Sequence, residues 1–257
     1  QVQPIRKEID EAIGLVIDNA SFILGGAVEE FEKNAARYCG CKYAVGVSNG
    51  TDSISLSLLA LGIKPGDGVI CPAFTYYATA GAIASIGAVP VFADIDRDTY
   101  TISTENAEKI LRKKTKLKVK AIIPVHLYGQ CADMDKIMKI ANKKNIPVIE
   151  DAACAMGSKY KGQYCGTIGK IGCFSMHATK GVGVGEGGLL VTNDDIALRA
   201  RSFGTFGLNT WSRENSKEFE IPVFENIGFN YKLSDLAAAV GIAQFRKLDK
   251  IIKKKNA

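Results

Sequence analysis

The sequence predicts an α/β fold: three layers, with helices on both faces of a mostly parallel mixed sheet. Three observations predict it. Short apolar runs recur from Tyr43 to Glu150, with helical patterns between them, and strands buried on both faces read as such runs. Several runs end in a polar, aromatic or acidic segment, at the sheet edge where α/β folds bind ligands. The chain has 257 residues, 47% of them hydrophobic. That is enough for the core of one large domain or two modest ones.

The elements follow in order. Tyr43 to Val47 reads as a buried strand and Thr51 to Leu61 as a helix. Val69 to Cys71 is a short strand, Tyr77 to Ile86 a helix of small residues, and Val89 to Ala93 a strand. Thr104 to Lys114 is a helix with Ser103 or Thr104 as N-cap. Ala121 to Val125 is a strand, Asp133 to Lys144 a helix, and Pro147 to Glu150 a strand. After Asp151 the rhythm changes. Ile171 to Phe174 and Gly188 to Thr192 read as strands joined by a loop, and Asp194 to Phe203 as a helix. Gly204 to Asn226 is polar, aromatic and irregular, a long surface or interface loop. Ser234 to Lys255 reads as one long helix capped by Ser234 or Asp235. No repeat or low-complexity tract interrupts this order.

Composition narrows the function classes. A net charge of +6 favours small anions such as phosphates. It falls short of the dense basic patch that nucleic acids require. The basic run from Arg112 to Lys120 and the tail Lys253-Lys254-Lys255 read as solvated faces. Seven cysteines without a C-x-x-C pair, and only two histidines, argue against zinc. Free thiols in a reducing cytoplasm are the simplest expectation. The opening residues are not expected to be a signal peptide. The uncharged stretch Gly68 to Ala93 is broken by Pro72, Pro90 and glycines, so it reads as a β-α-β unit and not as a membrane span.

One lysine stands out. Gly172-Cys173-Phe174-Ser175-Met176-His177-Ala178-Thr179-Lys180-Gly181-Val182-Gly183-Val184-Gly185-Glu186-Gly187-Gly188 places Lys180 between an apolar strand and a glycine-dense loop. A solvated surface lysine needs no such setting. A nucleophilic amine, as in a Schiff base with a carbonyl cofactor, does. Ser48-Asn49-Gly50-Thr51-Asp52 turns from strand into helix, so it is either an anion site at a helix N-terminus or an ordinary cap. Glu150-Asp151 ends a buried strand, where one carboxylate could hold a heterocyclic nitrogen protonated, or else cap a helix or bind a metal. In Pro72-Ala73-Phe74-Thr75-Tyr76-Tyr77 an aromatic could lie on a planar ligand or simply pack in the core. His126 reads as a packed, hydrogen-bonded histidine, and His177 as a shaper of the pocket, not a base.

Two patterns are decoys. Gly183, Gly185 and Gly188 satisfy G-x-G-x-x-G but lead into a strand, whereas a dinucleotide fingerprint opens a helix. Asp94, Asp96, Asp98 and Glu105 imitate a calcium loop, yet Thr99 replaces its required glycine and a strand precedes it.

Together the chain resembles the sugar aminotransferases of the DegT/DnrJ/EryC1/StrS family, which use pyridoxal phosphate. The resemblance runs from about Gly25 to the end. Besides the segments above it rests on Gly25-Gly26-Ala27-Val28-Glu29-Glu30-Phe31-Glu32, Pro65-Gly66-Asp67, Pro124-Val125-His126-Leu127-Tyr128-Gly129-Gln130 and Gly228-Phe229-Asn230-Tyr231-Lys232-Leu233-Ser234-Asp235. It implies the large domain of a fold-type-I transferase and a homodimer with shared active sites. Lys180 would join the cofactor's aldehyde, Asp151 would pair with the ring nitrogen, and Tyr76 would stack on the ring. Gly50, Thr51 and Ser175 would hold the phosphate, with Asn230 reaching it from the partner subunit.

The reaction implied moves an amino group from an amino acid, with glutamate as the expected donor, to a keto sugar linked to a nucleotide. A sugar dehydratase and a non-catalytic cofactor-binding regulator or assembly protein are the alternatives. Retention of Lys180 disfavours the dehydratase, whose branch replaces that lysine. Cys154 stands where relatives often carry Gln or His, Met156 where they often carry His, and Gly68 replaces a common glutamate. Cys154 would still touch the cofactor's edge. The resemblance divides the chain into residues 1–233, an N-terminal segment with the large cofactor domain, and residues 234–257, a helix leading into a C-terminal domain expected to continue beyond Ala257. A cytoplasmic enzyme without nucleic-acid or membrane partners is expected.

Overall fold

Neighbouring residues of one strand face different cores. Val69 and Cys71 enter one buried cluster and Ile70 another; Cys173 joins the first and Phe174 a third. That alternation is the period of a strand covered on both faces. The computed structural model describes residues 3–113, 116–209 and 221–255. Lys114, residues 210–220 of the expected long loop, and Ala257 lie outside them.

Two helices missing from the sequence reading open the fold, α1 (Arg6–Asp18) and α2 (Gly26–Cys39). Then come β1 (Tyr43–Val47), α3 (Gly50–Ala60), β2 (Gly68–Pro72), α4 (Ala78–Ser85) and β3 (Val89–Ala93). α5 (Thr104–Arg112), β4 (Val119–Ile122), α6 (Met134–Lys144) and β5 (Ile149–Asp151) follow. A small hairpin of β6 (Lys159–Tyr160) and β7 (Gln163–Tyr164) precedes β8 (Ile171–Ser175) and β9 (Gly188–Thr192). α7 (Ile196–Gly204), α8 (Asp235–Phe245) and α9 (Leu248–Lys255) end the described chain.

The strands run β3-β2-β4 and β5-β8-β9-β1. Parallel bridges Ile122 to Val148 and Val125 to Asp151 join the two groups. Within this sheet the strand pairings are parallel except those of β9, which is antiparallel to β1 and to β8. The predicted mostly parallel mixed sheet is therefore present. α3, α4 and α7 cover one face through Leu56, Leu58, Ile83 and Ala200. α2 and α8 cover part of the other through Phe31, Ala35, Ile242 and Phe245, and α5 and α6 the rest through Ala107, Met134 and Ile137.

Two expectations are corrected. The single helix from Ser234 to Lys255 is two, because α8 stops at Phe245 and α9 starts at Leu248. Phe245 and Leu248 are both buried in the core shared with α2, and Lys247 pairs with Glu8 of α1 at 2.5 Å. The thiols are not all free. Cys131 and Cys165 form a disulfide with Cα atoms 6.6 Å apart. The strand order brings the segment after β4 over the hairpin. Burial pushes the remaining thiols of Cys71 and Cys173 up to about 12, so both are packing groups.

Candidate active site

Because β1, β2, β4, β5 and β8 run together, their carboxyl ends meet at one edge, and β9 starts there. A cavity of about 900 Å³ opens at this edge.

The loop from β8 to β9 carries the lysine and is folded on itself. Lys180 N donates to His177 O at 2.8 Å, Ala178 N to Gly185 O at 2.9 Å, and Val184 N to Met176 O at 2.9 Å. Gly185 takes φ +96°, a left-handed angle that suits glycine. A Cβ on Gly183 would lie 2.7 Å from Ala178 O. The glycines thus serve a tight backbone and not a dinucleotide. Lys180 is half-buried, and its Nζ donates to Cys154 Sγ at 3.0 Å.

The helix α3 supplies the anion end. Asn49 caps it by accepting from Asp52 N at 2.9 Å. The first amides, of Gly50 and Thr51, precede any intrahelical bond and stand at the cavity. A Cβ on Gly50 would lie 2.9 Å from Ser175 Cβ, so only glycine brings this turn against the end of β8. The cap is present, and it leaves the amides of Gly50 and Thr51 at the cavity. Asp52 also lines the cavity; burial raises its carboxyl pKa, opposed by bonds from Ser48 and Asn49.

Asp151 supplies the acid end and is 5% exposed. Its Oδ2 accepts from Thr79 Oγ1 at 2.7 Å and its Oδ1 from Ala153 N at 3.2 Å. Burial raises its pKa, against the hydrogen bonds from Thr79 and Ala153 and the charge of Lys180. Such a carboxyl gains most when a cation is placed over it.

Glu150 points to the other face of β5. Its Oε2 meets His126 Nε2 at 2.8 Å and accepts from Gly166 N at 2.7 Å. Its Oε1 accepts from Ile168 N at 2.7 Å and Gly169 N at 2.6 Å. Ala132 N donates to His126 Nδ1 at 3.1 Å, so that nitrogen carries no proton and Nε2 does. His126 is thus a neutral, packed histidine, as its sequence position suggested. His126, Cys131 and Cys165 lie within 4.8 Å of one another. Both ring nitrogens are engaged and the sulfurs are joined, so this trio offers a metal no free donor.

Gly50, Thr51, Tyr76, Asp151, Cys154, Ser175 and Lys180 all line the one cavity. Asn230 does not. It bridges Thr205 and accepts a hydrogen bond from Lys232 of its own chain. Tyr76 is 81% exposed at the rim. Thr79 had no role in the sequence reading; the signal was a hydroxyl one helical turn after Thr75 among small residues. The calcium imitation resolves into a turn, with Asp96 Oδ1 taking the amides of Asp98 and Thr99.

Fold and site define a class: a three-layer α/β domain with a lysine loop, a buried acid and a helix N-terminus at one strand edge. The chain belongs to the DegT/DnrJ/EryC1/StrS aminotransferase family, whose pattern matches residues 3–257. It is 41% identical over 238 residues to UDP-2-acetamido-2-deoxy-3-oxo-D-glucuronate aminotransferase of Pseudomonas aeruginosa, covering 92% of this chain and 62% of that one. It is 40% identical over 252 residues to a pleiotropic regulatory protein of Geobacillus stearothermophilus, covering 97% and 64%. Among solved structures it is similar to NtdA from Bacillus subtilis with bound cofactor PMP. That match has a TM-score of 0.84 and 34% identity, covering 96% of this chain and 54% of that one. The chain spans about three-fifths of the length of the curated relatives it matches.

Proposed function

We propose that the chain is the cofactor-holding part of a pyridoxal phosphate-dependent aminotransferase that moves an amino group from an amino acid, glutamate first, to a keto sugar carried on a nucleotide. The observation that carries this reading is one cavity with a lysine amine, a buried carboxyl and a helix N-terminus on its walls. That donor set fits the cofactor. The amides of Gly50 and Thr51, with Ser175, suit its phosphate. Asp151 suits a protonated ring nitrogen, and Tyr76 at the rim suits the ring face.

When bound, the cofactor supplies an aldehyde for the donor's nitrogen and a ring that accepts electrons from the substrate carbon. Lys180 Nζ would be the group that meets that aldehyde, and its amine would hold or move a proton at the substrate carbon. Asp151 would hold a proton at the ring nitrogen, and Thr79 and Ala153 hold Asp151. Cys154 Sγ positions the lysine amine.

The proposal includes a homodimer. Asn230 lies outside the cavity of its own chain and would serve the partner's phosphate site. Ile227, Phe224 and Phe206 expose apolar surface beside it, with Ile227 94% exposed. Among the described residues no helix is long and apolar enough to cross a membrane. The cytoplasm is the proposed compartment: five cysteines, exposed Cys154 among them, are free, while the Cys131–Cys165 bond is of a kind rare there. A second reading, a cofactor-binding regulator, draws on the likeness to the pleiotropic regulatory protein.

Titration with pyridoxal phosphate tests the proposal. A visible band at about 410–430 nm is expected, lost in Lys180→Ala. Bleaching of the band by glutamate separates transamination from binding alone. A band that persists in Lys180→Ala overturns the assignment.

A further inference from the structure

We propose that the Cys131–Cys165 bond is a thiol–disulfide exchange site for small thiols, and that its state sets how firmly the cavity wall from Leu127 to Cys131 is held. Leu127 and Tyr128 line the cavity. The wall's own backbone bonds are local: Gly129 N to His126 O at 3.1 Å and Gln130 N to Leu127 O at 2.9 Å. Its first end is tied to the sheet, because His126 N donates to Asp151 O at 3.0 Å. Its far end is tied by the disulfide and, one residue on, by the bond from Ala132 N to His126 Nδ1.

Each cysteine is followed by a residue that serves the buried pair behind Asp151. Ala132 N donates to His126 Nδ1 at 3.1 Å, and Gly166 N to Glu150 Oε2 at 2.7 Å. The bond therefore holds both donors over one histidine–carboxylate pair. The two sides differ in freedom. Cys165 is 1% exposed, and its N donates to Ser158 O at 2.9 Å. Gly166 packs so tightly that a Cβ there would lie 2.4 Å from Phe174 Cζ. The floor is fixed, so the wall is the side that loosens.

Access differs in the same sense. Cys131 is half-buried whereas Cys165 is buried, so the proposed attack is on the Cys131 sulfur, the side nearer solvent. Attack forms a mixed disulfide on Cys131 and releases the Cys165 sulfur, which takes up a proton. A second thiol then attacks the small-thiol sulfur of the mixed disulfide and frees Cys131 as a thiol. Overall, one protein disulfide and two small thiols become two protein thiols and one small disulfide. Oxidation by glutathione disulfide is the reverse.

The test uses the whole chain, equilibrated in oxidised or reduced glutathione and then desalted. Alkylation after unfolding, read peptide by peptide, should leave Cys131 and Cys165 unlabelled in the oxidised sample and label both in the reduced one. Amide exchange from Leu127 to Ala132 should rise roughly tenfold on reduction, while Gly166 and β9 stay as they were. The double variant Cys131→Ser, Cys165→Ser should exchange fast in both buffers. Labelled Cys131 and Cys165 after oxidation, an unchanged wall, or a rise shared equally by β9 would each overturn the proposal. None of these readouts involves the cofactor, so they stand apart from the aminotransferase reading.

Discussion

The buried side chain of Gln244 holds both backbone groups of Gly183. Its Oε1 accepts from Gly183 N at 3.1 Å, and its Nε2 donates to Gly183 O. Gln244 is 1% exposed and lies on α8, while Gly183 lies three residues after Lys180. A helix of the core thus braces the loop that carries the lysine. Gln244→Leu keeps the volume and leaves two buried backbone groups unpaired, at a cost of about 1–3 kcal/mol. Thermal unfolding should show that loss, and pyridoxal phosphate should bind more weakly. Unchanged unfolding and binding would mean that the brace is dispensable.

Gly50→Ala tests the contact between α3 and β8. The added Cβ would lie 2.9 Å from Ser175 Cβ and 3.2 Å from Ser175 Cα. The helix start must shift by several tenths of an ångström, an overpacking worth roughly 1–3 kcal/mol. Cofactor affinity should fall roughly ten- to a hundredfold, since phosphate donors act only when well placed. Isothermal titration reads the fall, and an affinity equal to wild type removes Gly50 and Thr51 from the phosphate site.

These residues also mark what the sequence could convey. Apolar runs gave away most strands, because runs of this kind are too short for a buried helix and are bounded by turn residues. Glu150 and Asp151 were visible only as a pair, since which of two neighbours faces the cavity depends on the register of β5. The resemblance to the family, not the pattern, singled out Asp151. The disulfide joins residues 34 apart, and only the strand order brings them together. The break between α8 and α9 leaves no Gly or Pro in Phe245-Arg246-Lys247-Leu248. It follows from tertiary packing.

Removing that disulfide should cost stability. In the chain-entropy view, a loop of this span is worth about 3–4 kcal/mol. Urea unfolding of Cys131→Ser, Cys165→Ser under non-reducing conditions should show the loss against wild type. Equal midpoints would mean that the bond is absent in solution.

The pH dependence of Asp151 has a definite sign. Its folded pKa is raised, chiefly by burial. Below the ordinary carboxylate range both states hold the proton and nothing is lost. As pH rises through that range the unfolded chain releases the proton first, so stability falls until the folded pKa is passed. Asp151→Asn removes this fall. Without cofactor, the stability of the variant relative to wild type should improve as pH rises from about 4 until the folded pKa is passed, whatever the offset. Its affinity for pyridoxal phosphate should drop over the same range. A difference that stays flat with pH would show that Asp151 is not strained by burial.

Glu150 meets four donors: His126 Nε2–H and the amides of Gly166, Ile168 and Gly169. Only a carboxylate offers acceptors to all four. The Nδ1 of His126, taken up by Ala132 N–H, fixes the ring as the neutral Nε2–H form. Glu150→Gln turns one acceptor into a donor and sets it against donors, in a site where both side chains are fully buried. The expected loss is about 3–5 kcal/mol, the range for breaking a buried charged network. Urea unfolding reads it. Nitrogen NMR of His126 provides a check that does not depend on stability. The proton should reside on Nε2 across the neutral range. A ring protonated on Nδ1 would mean that Ala132 N–H has no acceptor and that the pair is built the other way round.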